Sequence, residues 1–350
     1  MKGGKLKLFL ENLENTAPIK IFGICLIMIG MYVWLTTFLT IHQSVLIILL
    51  FIAIVIIVAL WKTICKNPAV IPIMFDESSE GAERLFNDFI MKSGIHNHFK
   101  RVNDYITSRL YFYPSSNPRN SKDIMDWNKA WNELLKPWES MDEELNGKHI
   151  AVDGREYNIF PHVILPLSFA LGASIGLRCP LKLYHFQNKN YYCVLKIPSR
   201  DALFPEKLPS ISPPDIIPEK FSKSKNKLIL HIFVSERHKS EINFDAHPDH
   251  ENADNIALYY SALKPDKDWL PYLQWIVKKI NDELAVKYDK IDVCLAVPSV
   301  IAFALGMAFS RKSRITVCHW TGNEYLPVFS LESIEKEYPL DKEKKRLPFT

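Results

Sequence analysis

The chain has 350 residues, a formal net charge of +4, and 48% hydrophobic against 23% charged residues. That length suits two domains, or one large domain with an appendage, and the composition is that of a globular chain. So small a surplus of positive charge does not by itself indicate a nucleic-acid surface.

From the N-terminus, residues 19–41 (IKIFGICLIMIGMYVWLTTFLTI) and 44–61 (SVLIILLFIAIVIIVALW) are apolar, with Lys20 their only charged side chain. A helix crossing a bilayer needs about 20 such residues, so two spans joined by a tight hairpin are predicted. A signal peptide has a shorter apolar region and no second one directly after it. Lys2, Lys5, Lys7 and Lys20 precede the first segment, and Lys62 and Lys66 follow the second. Positive flanks stay on the cytoplasmic side, so the N-terminus and everything beyond residue 67 are expected in the cytoplasm. The six cysteines form no CxxC pair and no zinc spacing, which fits small core residues in a reducing compartment.

Residues 68–126 are mixed, with helical periodicity and then the polar loop PSSNPRNSKD. Beyond them a regular alternation starts. WNKAWNELLKPWESMDEEL (127–145) reads as an amphipathic helix, bent at Pro137. HIAVDG (149–154) reads as a buried strand, REYNIFPH as a turn-rich stretch, LPLSFALGASIG (165–176) as a helix and LKLYHF (181–186) as a strand. After YYCVLKI (191–197) comes a Pro- and Lys-rich loop, about 198–226, and then the clear strand KLILHIFVS (227–235). A short helix is expected near 251–263, and an amphipathic one over 268–288. KIDVCLAV (290–297), PSVIAFALGMAFS (298–310) and RITVCHW (314–320) complete the order strand, helix, strand.

The order helix, strand, helix, strand thus occurs twice. Placing Ala170-Leu171-Gly172 on Ala304-Leu305-Gly306 also puts His185 on His319, Phe186 on Trp320 and Tyr191 on Tyr325, without a gap. Units of this spacing predict an α/β fold with parallel sheets: two Rossmann-like halves in tandem, about 127–197 and 227–335, in a domain over 127–350. Each glycine is expected to let its helix pack closely on a sheet.

Two N-terminal spans, then ALGASIG and ALGMAFS in tandem Rossmann-like halves, resemble the membrane class of SAVED proteins from bacterial CBASS anti-phage systems. SAVED is a fused pair of CARF-like units. The resemblance implies a receptor for a cyclic oligonucleotide made by a partner nucleotidyltransferase. It also implies ligand-driven homo-oligomerisation, and disruption of the bacterial inner membrane by the clustered two-pass hairpins as an abortive-infection defence. Neither direct DNA or RNA binding nor a further cofactor is expected.

Competing chemistry is weak. The run His247-Pro248-Asp249-His250, with Asp245 and His238 nearby, is metal-capable, but its spacing fits neither HExxH nor a zinc finger, and a solvated turn is the favoured reading. There is no Walker A, GxGxxG or GxSxG. No catalytic residue and no metal ligand is assigned, and the chain reads as a binding module rather than an enzyme. The alternative is a membrane-tethered nuclease or other hydrolase. Ligands of open α/β sheets bind beyond the carboxyl ends of the strands, near helix N-termini. Topology there places His162, Ser235, Arg237 and Ser299 as polar or phosphate-binding candidates, with Tyr191 and Trp320 as platforms for a base.

Overall fold

The computed structural model describes residues 26–33, 53–54, 69–96, 109–147, 155–176, 180–218, 226–235, 242–261, 263–309 and 314–332. Residues 1–68 and 69–350 form two compact units. In the first, residues 26–33 are helical and expose Leu26, Ile27, Ile29, Met31 and Val33. The expected two-pass inner-membrane location is corrected: among the described residues, no helix is long and apolar enough to cross a membrane. Most of the apolar segments 19–41 and 44–61 lies outside the described residues.

The second unit holds two sheets of matching topology. Strands β1 (Ala69–Asp76), β2 (Tyr111–Phe112), β3 (Arg155–His162), β4 (Leu181–Gln187) and β5 (Asn190–Ile197) form the first, in the order β2-β1-β3-β4-β5. All pairs are parallel except the hairpin β4–β5. Its positive-φ turn, Asn188-Lys189, reverses the chain in two residues. The second sheet comprises β6 (Asp215–Pro218), β7 (Lys227–Ser235), β8 (Asp254–Ser261), β9 (Lys290–Ala296), β10 (Ile315–Trp320) and β11 (Tyr325–Ser330), in the order β11-β10-β9-β7-β8-β6. Without the antiparallel edge strand β6, this repeats the first sheet strand for strand, down to the antiparallel closing hairpin. It is the doubly wound order 2-1-3-4-5, whose switch point lies between its first and third strands.

The helices are α1 (Ala82–Lys92), α2 (Ile124–Gly147), α3 (Leu165–Ile175), α4 (Leu270–Lys278, continued by a wider turn over Lys279–Leu284) and α5 (Ser299–Phe309). α3 and α5 are apolar all round and buried almost throughout, and the reason is their partner. They pack on each other through the two repeated glycines. A Cβ on Gly172 would lie 1.9 Å from the Phe303 carbonyl oxygen, and one on Gly306 would lie 2.0 Å from that of Phe169. The contact is reciprocal, as a pseudo-two-fold axis between the halves requires. These glycines therefore serve helix-to-helix packing across the repeat, not helix-to-sheet packing within each half.

Two further expectations change. REYNIFPH is not a turn but the whole of β3, paired on both edges between β1 and β4. Its polar residues are satisfied internally: buried Arg155 meets the Asp142 carboxylate at 3.1 Å, and Asn158 accepts from the Tyr184 hydroxyl. The segment 149–154, expected to be this strand, lies outside the described residues. The helix expected near 251–263 is instead strand β8, preceded by two short 3₁₀ turns.

Candidate functional site

Three contacts fix the sense of the central helix pair. Ser168 Oγ donates to the Ser299 carbonyl at 2.8 Å, Gly172 faces Phe303 and Met307, and Gly306 faces Phe169 and Ala173. Going from N- to C-terminus on α3 therefore also goes from N- to C-terminus on α5, so the helices run parallel. Each begins just past the carboxyl end of a central strand, α3 after β3 and α5 after β9. Both helix N-termini, and the carboxyl edges of both sheets, thus open toward one side. The start of α3 has no side-chain cap. Uncapped first-turn N–H groups and aligned peptide dipoles favour an anion there.

At the switch point of the first half, the carboxyl ends of β1 and β3 are register partners, Asp76 beside His162. His162 Nδ1 lies 2.9 Å from Asp76 Oδ1, and the Glu77 amide donates to the same oxygen at 2.8 Å. The hydrogen bond to Asp76 raises the imidazole pKa above its ordinary value, against partial burial. Asp76 is 3% exposed, while the His162 side chain is half exposed and its ring is stacked on Phe160. Alongside, Arg119 Nη2 donates to both oxygens of Glu77, at 2.7 and 2.8 Å.

The other sequence candidates are distributed as follows. Ser299 is the first residue of α5, and its carbonyl is already occupied by Ser168. Ser235 ends β7. Arg237 lies outside the described residues. Trp320 ends β10, 38% exposed, with its ring 4.9 Å from buried Tyr325. The same pair recurs in the first half as Phe186, 41% exposed, 4.8 Å from Tyr191. Tyr191 is the buried member, packed on Phe89 and Phe160, and burial pushes its hydroxyl up to about 12. The open aromatic face of the first half is therefore Phe186. The repeat alignment held this signal, since it sets Phe186 on Trp320.

His185 and His319, the other repeated pair, are taken up by packing. His185 lies 5.1 Å from Trp269 at the head of α4, and His319 lies 4.7 Å from Trp127 of α2. Burial lowers the His185 pKa to about 4. Each half thus lends a tryptophan from its crossing helix to the other half's sheet.

No protein-family model and no curated protein matches the chain. Solved structures do. An Acinetobacter baumannii Cap4 SAVED/CARF-domain containing receptor with the cyclic trinucleotide 3'3'3'-cAAA is 15% identical, covering 75% of this chain and 52% of that one, with a TM-score of 0.47. The same receptor with 2'3'3'-cAAA is 14% identical, covering 74% and 51%, with a TM-score of 0.46. A Moraxella osloensis Cap4 SAVED/CARF-domain containing receptor is 17% identical, covering 72% and 59%, with a TM-score of 0.41. The chain spans about half the length of the two Acinetobacter structures.

Proposed function

We propose that the unit from Ala69 onward is a receptor for a cyclic oligonucleotide. The observation that carries the reading is the parallel pairing of α3 and α5, which turns two helix N-termini and the carboxyl edges of two repeated sheets to one side. A cyclic oligonucleotide presents phosphates and base faces repeatedly around one ring. The repeated carboxyl edges offer it helix N-termini for phosphate and two open aromatics, Phe186 and Trp320, for bases. His162, held toward its cationic form by Asp76 through Nδ1, keeps its Nε2–H as a donor at the same edge.

In this reading the ligand is a messenger made by a partner nucleotidyltransferase during phage infection, and binding draws copies of the chain together. The chain recognises the messenger and has no catalytic role in consuming it. Calorimetric titration of the purified chain with a panel of cyclic di-, tri- and tetranucleotides tests the reading, starting from the two cyclic triadenylates held by the Acinetobacter receptors. Saturable binding to one ring is expected, with the nucleotide recovered intact and a rise in mass by analytical ultracentrifugation. Trp320→Ala and Phe186→Ala should each weaken binding by about tenfold or more, since a base stacked on an aromatic ring is worth about 1–3 kcal/mol. Absence of binding to every ring in the panel overturns the receptor reading.

A further inference from the structure

The two halves differ at one row of side chains on the outer face of their sheets, away from the central helices. In the first half the row runs Met74, Phe160, Tyr184 across β1, β3 and β4, and Phe89 of α1 covers it, with ring centroids 5.6 Å from Phe160 and 5.1 Å from Tyr184. In the second half the same row reads His231, Cys294, Cys318. Cys294 is the register partner of both His231 on β7 and Cys318 on β10. An aromatic row has become one of metal-binding side chains.

The covering element has changed as well. Between β7 and β8 the described residues contain two 3₁₀ turns, Phe244–Ala246 and His250–Asn252, and no α-helix. Among the described residues, a small separate apolar cluster that itself includes Cys294 and Cys318 lies beneath them. His247, between the turns, is fully buried and reaches down to that row. Its Nε2 is 3.6 Å from Cys318 Sγ and 3.3 Å from Asp292. The ligating atoms of His247, Cys294 and Cys318 all lie within 4.8 Å of one another. His231, also fully buried, has both ring nitrogens without a hydrogen-bond partner among the described residues.

We propose that His247, Cys294 and Cys318 form a structural site for a divalent transition metal of the zinc class, with Asp292 as the nearest oxygen for a fourth position. Two thiolates and an imidazole are a zinc donor set, and such a site is closed and buried. The metal would tie the 243–252 segment to β9 and β10, the work that α1 does by apolar packing in the first half. Small apolar contacts are commonly supplemented in this way. Loading is balanced as two thiols and one neutral imidazole taking up one divalent ion and releasing two protons, with no change of oxidation state. Without metal, His247 Nδ1 accepts from the Asp249 amide at 3.1 Å, so the neutral ring carries its proton on Nε2. Coordination through Nε2 moves that proton to Nδ1 and opens the Asp249 contact. Lys227 lies 2.7 Å from Asp292 and 2.6 Å from Asp249, and its single charge offsets one of the two carboxylates.

The test needs no nucleotide, so it stands or falls apart from the receptor reading. The purified full chain, stripped with a chelator, is titrated with Zn²⁺ and separately with Co²⁺. The expected result is one ion per chain, with the near-ultraviolet thiolate-to-cobalt charge-transfer band and strong visible bands of tetrahedral Co²⁺. Cys294→Ser, Cys318→Ser and His247→Gln should each abolish stoichiometric binding, and Cys193→Ser should leave it intact. Where a variant does not fold, the wild-type chain still decides by mass-spectrometric alkylation. Zn²⁺ should protect Cys294 and Cys318 and leave Cys193 as reactive as before. A folded chain that binds no Zn²⁺, that binds it without thiolate bands, or that alkylates equally with and without Zn²⁺ overturns the site.

Discussion

The Asp76–His162 pair sits where the first sheet's crossovers diverge, with one partner buried and the other half exposed. Because Asp76 raises the imidazole pKa above 6.5, the pair contributes stability that is fully present below the unfolded pKa and is lost as pH rises through the folded one. Replacing His162 by Gln should therefore destabilise the chain in urea unfolding at pH 5.5 and make little difference at pH 9. A difference that grows with pH would refute the pairing. A deeper pair behaves otherwise. Arg155, 1% exposed, holds Asp142 at 3.1 Å, donates to Asn146 at 2.8 Å and lies beside Tyr157, whose hydroxyl donates to Asp142. Arg155→Met takes the counter-charge from a buried carboxylate and should cost about 3–5 kcal/mol, whereas adding Asp142→Leu should restore part of it. A double variant no more stable than the single would show that the arginine matters for its packing alone. These partners explain why Arg155 was not legible as a strand residue. A charged residue opening REYNIFPH reads as a turn until its carboxylate, 13 residues away on α2, is in place.

Among the elements, α3 and α5 were the most legible, because the repeated ALG marks them and they are the most apolar helices of the second unit. What they pack against was not legible. A glycine inside a buried helix signals a close neighbour, and only the fold shows that neighbour to be its own repeat. Gly172→Ala or Gly306→Ala sets a methyl about 2 Å from a backbone carbonyl oxygen that cannot swing aside. Either change should destabilise the chain by about 3 kcal/mol or more, at the upper end of overpacking costs. Denaturant titration checks this, and a loss below about 1 kcal/mol would mean that the helices separate easily. Ala170→Gly, in the same turn, is the control: it removes a buried methyl instead of adding one, and costs about 1 kcal/mol or more through helix propensity. The strand β8 escaped for another reason. DNIALYYS follows a run of Asn, Asp and His that reads as the start of a helix, and only pairing with β7 on one side and β6 on the other makes it extended.

On the scale of the whole second unit, the halves are bound by exchange as well as by apposition. α2 places Trp138 on Phe75 and Tyr157 of its own half, but Trp127 and Trp131 on Phe329 of the other. Reciprocally, the start of α4 bonds across the repeat: the Trp269 amide donates to the Val194 carbonyl at 2.8 Å, and Gln274 donates to that of Ala202 at 2.6 Å. Trp127 and Trp269 are among the largest fully buried side chains, and each is covered by the half it does not belong to. A half expressed alone therefore exposes such a tryptophan, the apolar face of α3 or α5, and part of the sheet beneath. Neither half should form a cooperative fold by itself, despite its complete Rossmann-like topology. Residues 69–213 and 214–332, produced separately, should bind a hydrophobic dye and melt without a sharp transition. Mixed together they should recover near-ultraviolet dichroism from the buried tryptophans. Two independently cooperative halves would mean that the exchanged helices decorate the interface instead of building it. The apposition of the two halves would then rest on the two glycines alone.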